Sequence, residues 1–215
     1  MSEQETLHKI APNFASRKTR QHDIRIARGF DELAMVYAIR AAVYMAEQDC
    51  PYHEEFDGND ACAMHFVGFV GSEPAGVLRA RFFAEFVKLE RLAILKRFRR
   101  SLLAFDLVRE GISVARRKGF RRIYGHSREG LEPFWARFGA KPFADNRSIE
   151  FSDCRYKEMV IDLEPDPTAI GLMSGGHVII RPEGDWDRPG VLDQSGLRGS
   201  TYLENNSVKA RTTLT

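Results

Sequence analysis

Between Leu89 and Gly119 the chain passes from an apolar run, Leu89-Glu-Arg-Leu-Ala-Ile-Leu95, into the cationic stretch Lys96-Arg97-Phe98-Arg99-Arg100. Apolar residues at helical spacing follow: Leu103, Ala104, Leu107, Val108, Ile112 and Ala115. A strand that feeds a helix so directly sets the helix's first turn, with its unpaired N–H groups and positive dipole end, beside the strand's end. Four cations at such a turn suit a pyrophosphate or a phosphomonoester. A solvated loop is the plainer reading of a charge run, and the place between strand and helix favours the first. Neither Gly-x-Gly-x-x-Gly nor a Walker loop is present, which argues against a dinucleotide turn or a P-loop.

The surrounding pattern predicts an α/β order. Ile24 and Ile26 alternate with Asp23 and Arg25 as a short half-buried strand. Asp31 stands where a cap belongs, ahead of a stripe through Leu33, Val36, Ile39 and Val43 that predicts a helix to about Gln48. Residues 49–63 read as a turn-rich, acidic loop. Strands over His65–Gly71 and Ala75–Phe83 flank the turn Gly71-Ser72-Glu73-Pro74, and a third covers Phe86–Leu95. After the helix that stops at Gly119 come a strand over Arg121–His126, a short helix over Glu129–Phe138, and strand-like segments around Pro142–Phe151 and Tyr156–Leu163. The expectation is a central mixed sheet with helices over residues 23–163, between a flexible arm, 1–22, and an extension, 164–215. The extension has one β-like run, His177–Arg181.

Composition narrows the function classes. With 32 Lys+Arg against 30 Asp+Glu, a net charge of +2, the chain is too balanced for a dedicated nucleic-acid binder. No apolar run approaches the roughly 20 residues of a membrane span, and Met1–Asp23 has no apolar stretch fit for a signal peptide. Cys50, Cys62 and Cys154 lie far apart, fit neither a disulfide framework nor a zinc ribbon, and point to a reducing cytoplasm.

Six segments along the chain resemble the GNAT superfamily of acyl-CoA-dependent acyltransferases, and its ElaA-like branch in particular. Arg99-Arg100-Ser101-Leu102-Leu103-Ala104 is similar to the family's Arg/Gln-x-x-Gly-x-Gly/Ala motif, with Leu102 where the middle glycine stands. Arg40 to Gln48, followed by Pro51, Glu54, Asp57, Asp60 and His65, resembles that branch's Arg-x-x-Val-Phe-x-x-Glu-Gln stretch. Gly76–Arg81 and Leu89–Ile94 resemble its third and fourth strands. Pro133–Gly139 resembles its Phe-Tyr-x-x-x-Gly helix end, with Trp135 in place of the tyrosine. Tyr156–Met159 resembles the start of its closing strand.

The resemblance implies a GNAT-like, mostly antiparallel sheet with splayed central strands. It also implies direct transfer of an acetyl or other acyl group from acyl-CoA to the amine of a small molecule. On this reading the backbone of Leu92, Ala93 and Ile94 holds the pantetheine arm and the oxyanion. Arg97, Arg99, Arg100, Ser101, Leu102, Leu103 and Ala104 cradle the pyrophosphate, and Phe134 lies on the donor side. Glu90 and Glu47 are the candidate bases, although Glu90 could instead pair with Arg79 or Arg81. Tyr44, Gln48 and Glu54 lie toward the acceptor, where an acidic loop would suit a cation. Trp135 is no acid at neutral pH, and Tyr124 and His126 are the nearest substitutes. Long-chain acyl transfer of the lipid or homoserine-lactone type and a non-catalytic acyl-CoA-binding role remain the alternatives. No metal is expected. Val178, Ile179, Ile180, Trp186, Val191 and Leu192 predict that the extension docks, on its own domain or across a homodimer, with about the last ten residues mobile.

Overall fold

Alternation in the paired strands and helical spacing in the longer segments give the chain its two kinds of surface. The computed structural model describes residues 22–151 and 154–198. Two compact units result: one ends at Phe82 and resumes over Lys88–Gly111, and the other comprises Phe83–Val87 and the chain from Ile112 onward. The class is α/β, with antiparallel ladders and flanking helices.

In the first unit, strands β1 (Asp23–Ile26), β2 (Met64–Val70), β3 (Glu73–Phe82) and β4 (Val87–Ile94) are neighbours in that order. Helix α1 (Phe30–Arg40) runs through a π-helical turn, Ala41–Met45, into α2 (Ala46–Gln48). Its cap is Gly29 rather than Asp31. The Glu32 carboxylate accepts from the N–H groups of Arg28 at 2.7 Å and Gly29 at 3.3 Å, so Asp31 falls in the first turn. Val36, Ile39 and Val43 pack with Val67, Phe69, Val77 and Ala93 as one core cluster.

Helix α4 (Leu103–Arg117) meets Gly68 of β2 and Gly76 of β3. It sits close because those residues are glycines. A Cβ at Gly68 would lie 2.7 Å from Leu103 Cδ1, and one at Gly76 would lie 3.0 Å from Leu103 Cδ2. The acidic loop is more structured than its sequence predicts, with α3 (Tyr52–Glu55) and a 3-10 turn, Asp60–Cys62. The expected arm is shortened at its end: His22 is buried, and its Nδ1 lies 2.8 Å from Asp106. The rest of that arm, 1–21, lies outside the described residues.

In the second unit, β8 (Cys154–Asp162) is central. It pairs antiparallel with β5 (Arg122–Arg128), β6 (Lys141–Pro142) and β7 (Ser148–Phe151). Helix α5 (Glu132–Ala136) follows β5, and Gly139, at φ +83°, turns the chain out of it.

The extension departs from expectation at His177–Arg181. This run is no strand but a helical turn, α6 (Gly176–Ile179), with the N–H groups of Ile179 and Ile180 returning to the carbonyls of Gly175 and Gly176. β-Branched residues favour strands only where a ladder receives them, and no pairing is recorded for this segment among the described residues. Trp186 is buried, whereas Val191 and Leu192 are exposed, against the expectation that all these apolar residues need cover. The last ten residues lie outside the described residues.

Candidate active site

The basic turn follows β4 as a 3-10 segment, Lys96–Phe98. Arg99 donates from Nε to the Ile94 carbonyl at 3.2 Å and from Nη2 to Glu47 at 2.5 Å. Arg97 pairs with Glu73. Lys96 and Arg100 are exposed. Ser101 Oγ receives the Leu103 N–H at 3.4 Å, and Leu103 is buried while Ala104 is half-buried. Leu102, the residue standing for glycine, has φ +65° and a largely exposed side chain. The backbone therefore keeps a left-handed form that favours glycine, at a cost of about 1–2 kcal/mol for a residue with a Cβ.

Beside this turn Tyr44, carried by the π-helical turn, donates its hydroxyl to the Leu92 carbonyl at 2.9 Å. Ala93 and Ile94 are buried. Gln48 and Glu54 are exposed, and the Glu54 carbonyl accepts from Arg91 at 2.6 Å. Arg91 itself has φ +53° within β4.

The acidic loop is neutralised from beneath by arginines distant in sequence. Arg40, fully buried, donates to Glu55 and Asp60 at 2.5 Å each and to the Glu55 carbonyl at 2.8 Å. Arg79, also fully buried, reaches Asp57 at 2.6 Å, Asp60 at 2.8 Å and Glu90 at 2.8 Å. Burial raises the Asp57 and Asp60 carboxyl groups, but bonds from Arg79, and for Asp60 also from Arg40, hold both below the ordinary aspartate value. Burial wins at Glu55, which is raised despite Arg40. The acids that would have suited a cationic acceptor are thus mostly spent on arginines of the chain.

Glu90 follows the pairing alternative. Besides Arg79 it has Lys88 at 2.8 Å and Arg81 at 3.8 Å. Its carboxylate is therefore engaged by cations of the sheet.

The second unit holds Phe134 and Trp135, whose rings meet edge to face at 5.3 Å. It also holds a polar group on β5 and β8. The Tyr124 hydroxyl donates to Glu158 Oε2 at 2.8 Å and lies 2.8 Å from His126 Nε2. Burial, and then the Glu158 carboxylate, pushes the Tyr124 phenol well above its usual value. That opposes its use as the acid replacing the missing tyrosine.

With this geometry in place, the comparisons decide the family. The model of the acetyltransferase (GNAT) family matches residues 33–140. The chain belongs to the GNAT acetyltransferase family. A Bacillus subtilis acetyltransferase candidate, BSU40680, is 29% identical over 122 residues, covering 55% of this chain and 83% of its own. Escherichia coli ElaA shares the fold with a TM-score of 0.57 at 19% identity, over 65% of this chain and 99% of its own. A GNAT acetyltransferase of Elizabethkingia anophelis, solved with acetyl-CoA bound, has a TM-score of 0.52 at 12% identity, over 67% of this chain and 99% of its own.

As a GNAT member the protein is a transferase, and acetyl-CoA or CoA is what the family binds. The turn before α4 carries four cations, Lys96, Arg97, Arg99 and Arg100, and Leu102 keeps a left-handed backbone where the family motif has glycine. The sequence raised Arg79 as a partner of Glu90, but it carried no signal that Arg40, Arg79 and Arg91 join the acidic loop in one network. It did single out Asp57 and Asp60. Glu158 escaped notice although it faces His126 across the ladder.

Proposed function

We propose that this GNAT transferase moves an acetyl group from acetyl-CoA directly to the amine of a small molecule. The observation that carries the reading is the basic turn Lys96–Ser101 leading into α4, with Leu102 left-handed where the resembled motif has glycine. Arg97, Arg99, Arg100 and the N–H groups of Leu103 and Ala104 would hold the pyrophosphate. The donor supplies an activated thioester. The backbone of Leu92–Ile94, steadied by the Tyr44 hydroxyl on the Leu92 carbonyl, would hold the pantetheine arm and face the developing oxyanion.

Glu47 has a part in this reading as the counter-ion of Arg99, a carboxylate that a phosphate would displace. Glu90 has a part as the anchor of Arg79. Three free cysteines fit a reducing cytoplasm. No described helix is long and apolar enough to cross a membrane.

The test is Arg99→Ala. A charge-assisted phosphate contact is worth about 1.5–3 kcal/mol, so calorimetry should show CoA binding weakened by about ten- to a hundredfold on a protein that still folds. Unchanged affinity would remove the pyrophosphate from this turn.

A further inference from the structure

One flank of the second unit's ladder ends in a strand whose outer edge pairs with nothing among the described residues. β7 lies on the same flank of β8 as β6, and β5 holds the other flank. The two strands on that flank differ in chemistry. β6 is Lys141-Pro142, and lysine and proline are residues that sheets place on an edge to refuse another strand. β7 is Ser148-Ile149-Glu150-Phe151, exposed at every residue, with no proline, lysine or bulge.

The register shows which backbone groups face outward. The Glu158 N–H donates to the Arg147 carbonyl at 3.0 Å, so Arg147 and Glu158 form a hydrogen-bonded pair. Alternation along an antiparallel ladder then turns the backbone of Ile149 and Phe151 toward Tyr156 and Cys154, and turns the N–H and C=O of Ser148 and Glu150 away from β8. No partner for these outward groups is recorded among the described residues. Side chains alternate as well. Ile149, 38% exposed, and Phe151, 45% exposed, share one face. They continue the alternation from Arg147, whose guanidinium lies over the Phe143 ring at 4.0 Å. Ser148 and Glu150 take the other face, where Arg155 pairs with Glu150 at 3.3 Å.

We infer that a second copy of this chain docks on this edge, β7 antiparallel to β7, in a two-fold dimer that continues the second unit's sheet. The edge is complementary to itself in one register. With Ile149 opposite its own counterpart, Ser148 of each copy faces Glu150 of the other, and each such pair exchanges both N–H···O bonds. The serine hydroxyl then donates to a carboxylate. The two isoleucines meet at a non-hydrogen-bonded pair, where side chains come closest, and Arg147 faces the Phe151 ring of the other copy. A shift of two residues one way sets Glu150 against Glu150, like charges directly opposite. The same shift the other way asks Glu150 to pair with Asn146, whose φ of +50° leaves the extended form. An edge of 4 residues is small for an interface, so association is weak and concentration-dependent. The dimer stands apart from the acetyl-transfer reading and needs no part of the donor site.

Sedimentation velocity of the full chain, from micromolar to near-millimolar, should show a monomer giving way to a dimer. Ile149→Lys sets two ammonium groups against each other at the axis and should hold the chain monomeric throughout. Glu150→Pro removes an outward N–H while sparing the bonds to β8, and should weaken association by about ten- to a hundredfold. Thermal melting by circular dichroism establishes that each variant folds, and Glu150→Pro decides alone if Ile149→Lys does not. Under a mild oxidant, Ile149→Cys should form a reducible dimer whose linked peptides join residue 149 to residue 149. Glu150→Cys should not, because its counterparts lie beyond the roughly 7 Å between Cα atoms that a disulfide spans. Wild type, with its own cysteines, is the control. A wild type that stays monomeric over the whole series overturns the inference and leaves the edge to an extended segment of another protein. A dimer that either folded variant leaves intact overturns it too. Linkage missing at 149, or present at 150, overturns the register.

Discussion

Leu102 shows what one side chain does to a loop built for none. At φ +65° a Cβ is strained, yet the exposed leucine loses little burial if it is removed. Leu102→Gly exchanges that strain for a more flexible unfolded chain, terms of about 1 kcal/mol each and opposite sign. It should leave the melting temperature nearly unchanged. Leu102→Val, β-branched in the same conformation, should melt several degrees lower in calorimetry. A valine variant as stable as the leucine protein would mean that the turn relaxes away from the left-handed form. Glu90 teaches a second lesson at this scale. Its position on a strand face nominated it as a base, but the three-dimensional neighbours, Arg79, Lys88 and Arg81, engage its carboxylate in ion pairs.

At the scale of elements, the loop from Asp49 to Ala63 is a strap fastened by arginines of α1, β3 and β4. Asp57 and Asp60 have folded values below the ordinary 3.8. Their contribution is therefore complete above that value and is lost as pH falls through the lower folded ones. Glu55, raised above 4.5, runs the other way and gives some stability back on acidification. Acid unfolding followed by circular dichroism should show the wild type losing stability below about pH 4, while Asp57→Asn begins less stable and falls less steeply there. Parallel curves would show that the strap does not depend on Asp57's charge.

Which elements were legible follows from the same physics. α4 and the β2–β3 hairpin have their period written in adjacent residues, as does β4. The strap depends on contacts between residues as distant as Arg40 and Asp60, or Arg79 and Asp57, which no local pattern carries. Val178-Ile-Ile180 failed for the converse reason, since its local preference for a strand had no ladder to join.

Over the molecule as a whole, the family match ends at residue 140 and the described chain continues to 198. Within the second unit the extension is held by the end of α4 and the residues after it. Arg116 donates to the carbonyls of Glu164 and Pro165, Arg117 to that of Thr168, and Arg121 to that of Leu163. Arg117 and Lys118 also lie 6.0 and 5.7 Å from the Trp186 ring while pairing with Asp187 and Glu183. Trp186→Ala should therefore cost about 3–5 kcal/mol, a core-sized loss, and open the chain near residue 165 to limited proteolysis. A mutant that melts with the wild type and resists cleavage would show that the ring is not what fastens the extension.

That fastening also sets an order of events at the ribosome. Lys118 is synthesised long before Trp186, and at roughly 5–20 residues per second the interval lasts several seconds. During it the nascent chain presents Arg116, Arg117 and Lys118 without the indole and carbonyls that later cover them. A message truncated before codon 164 would leave that cationic end of α4 uncovered for the lifetime of the product.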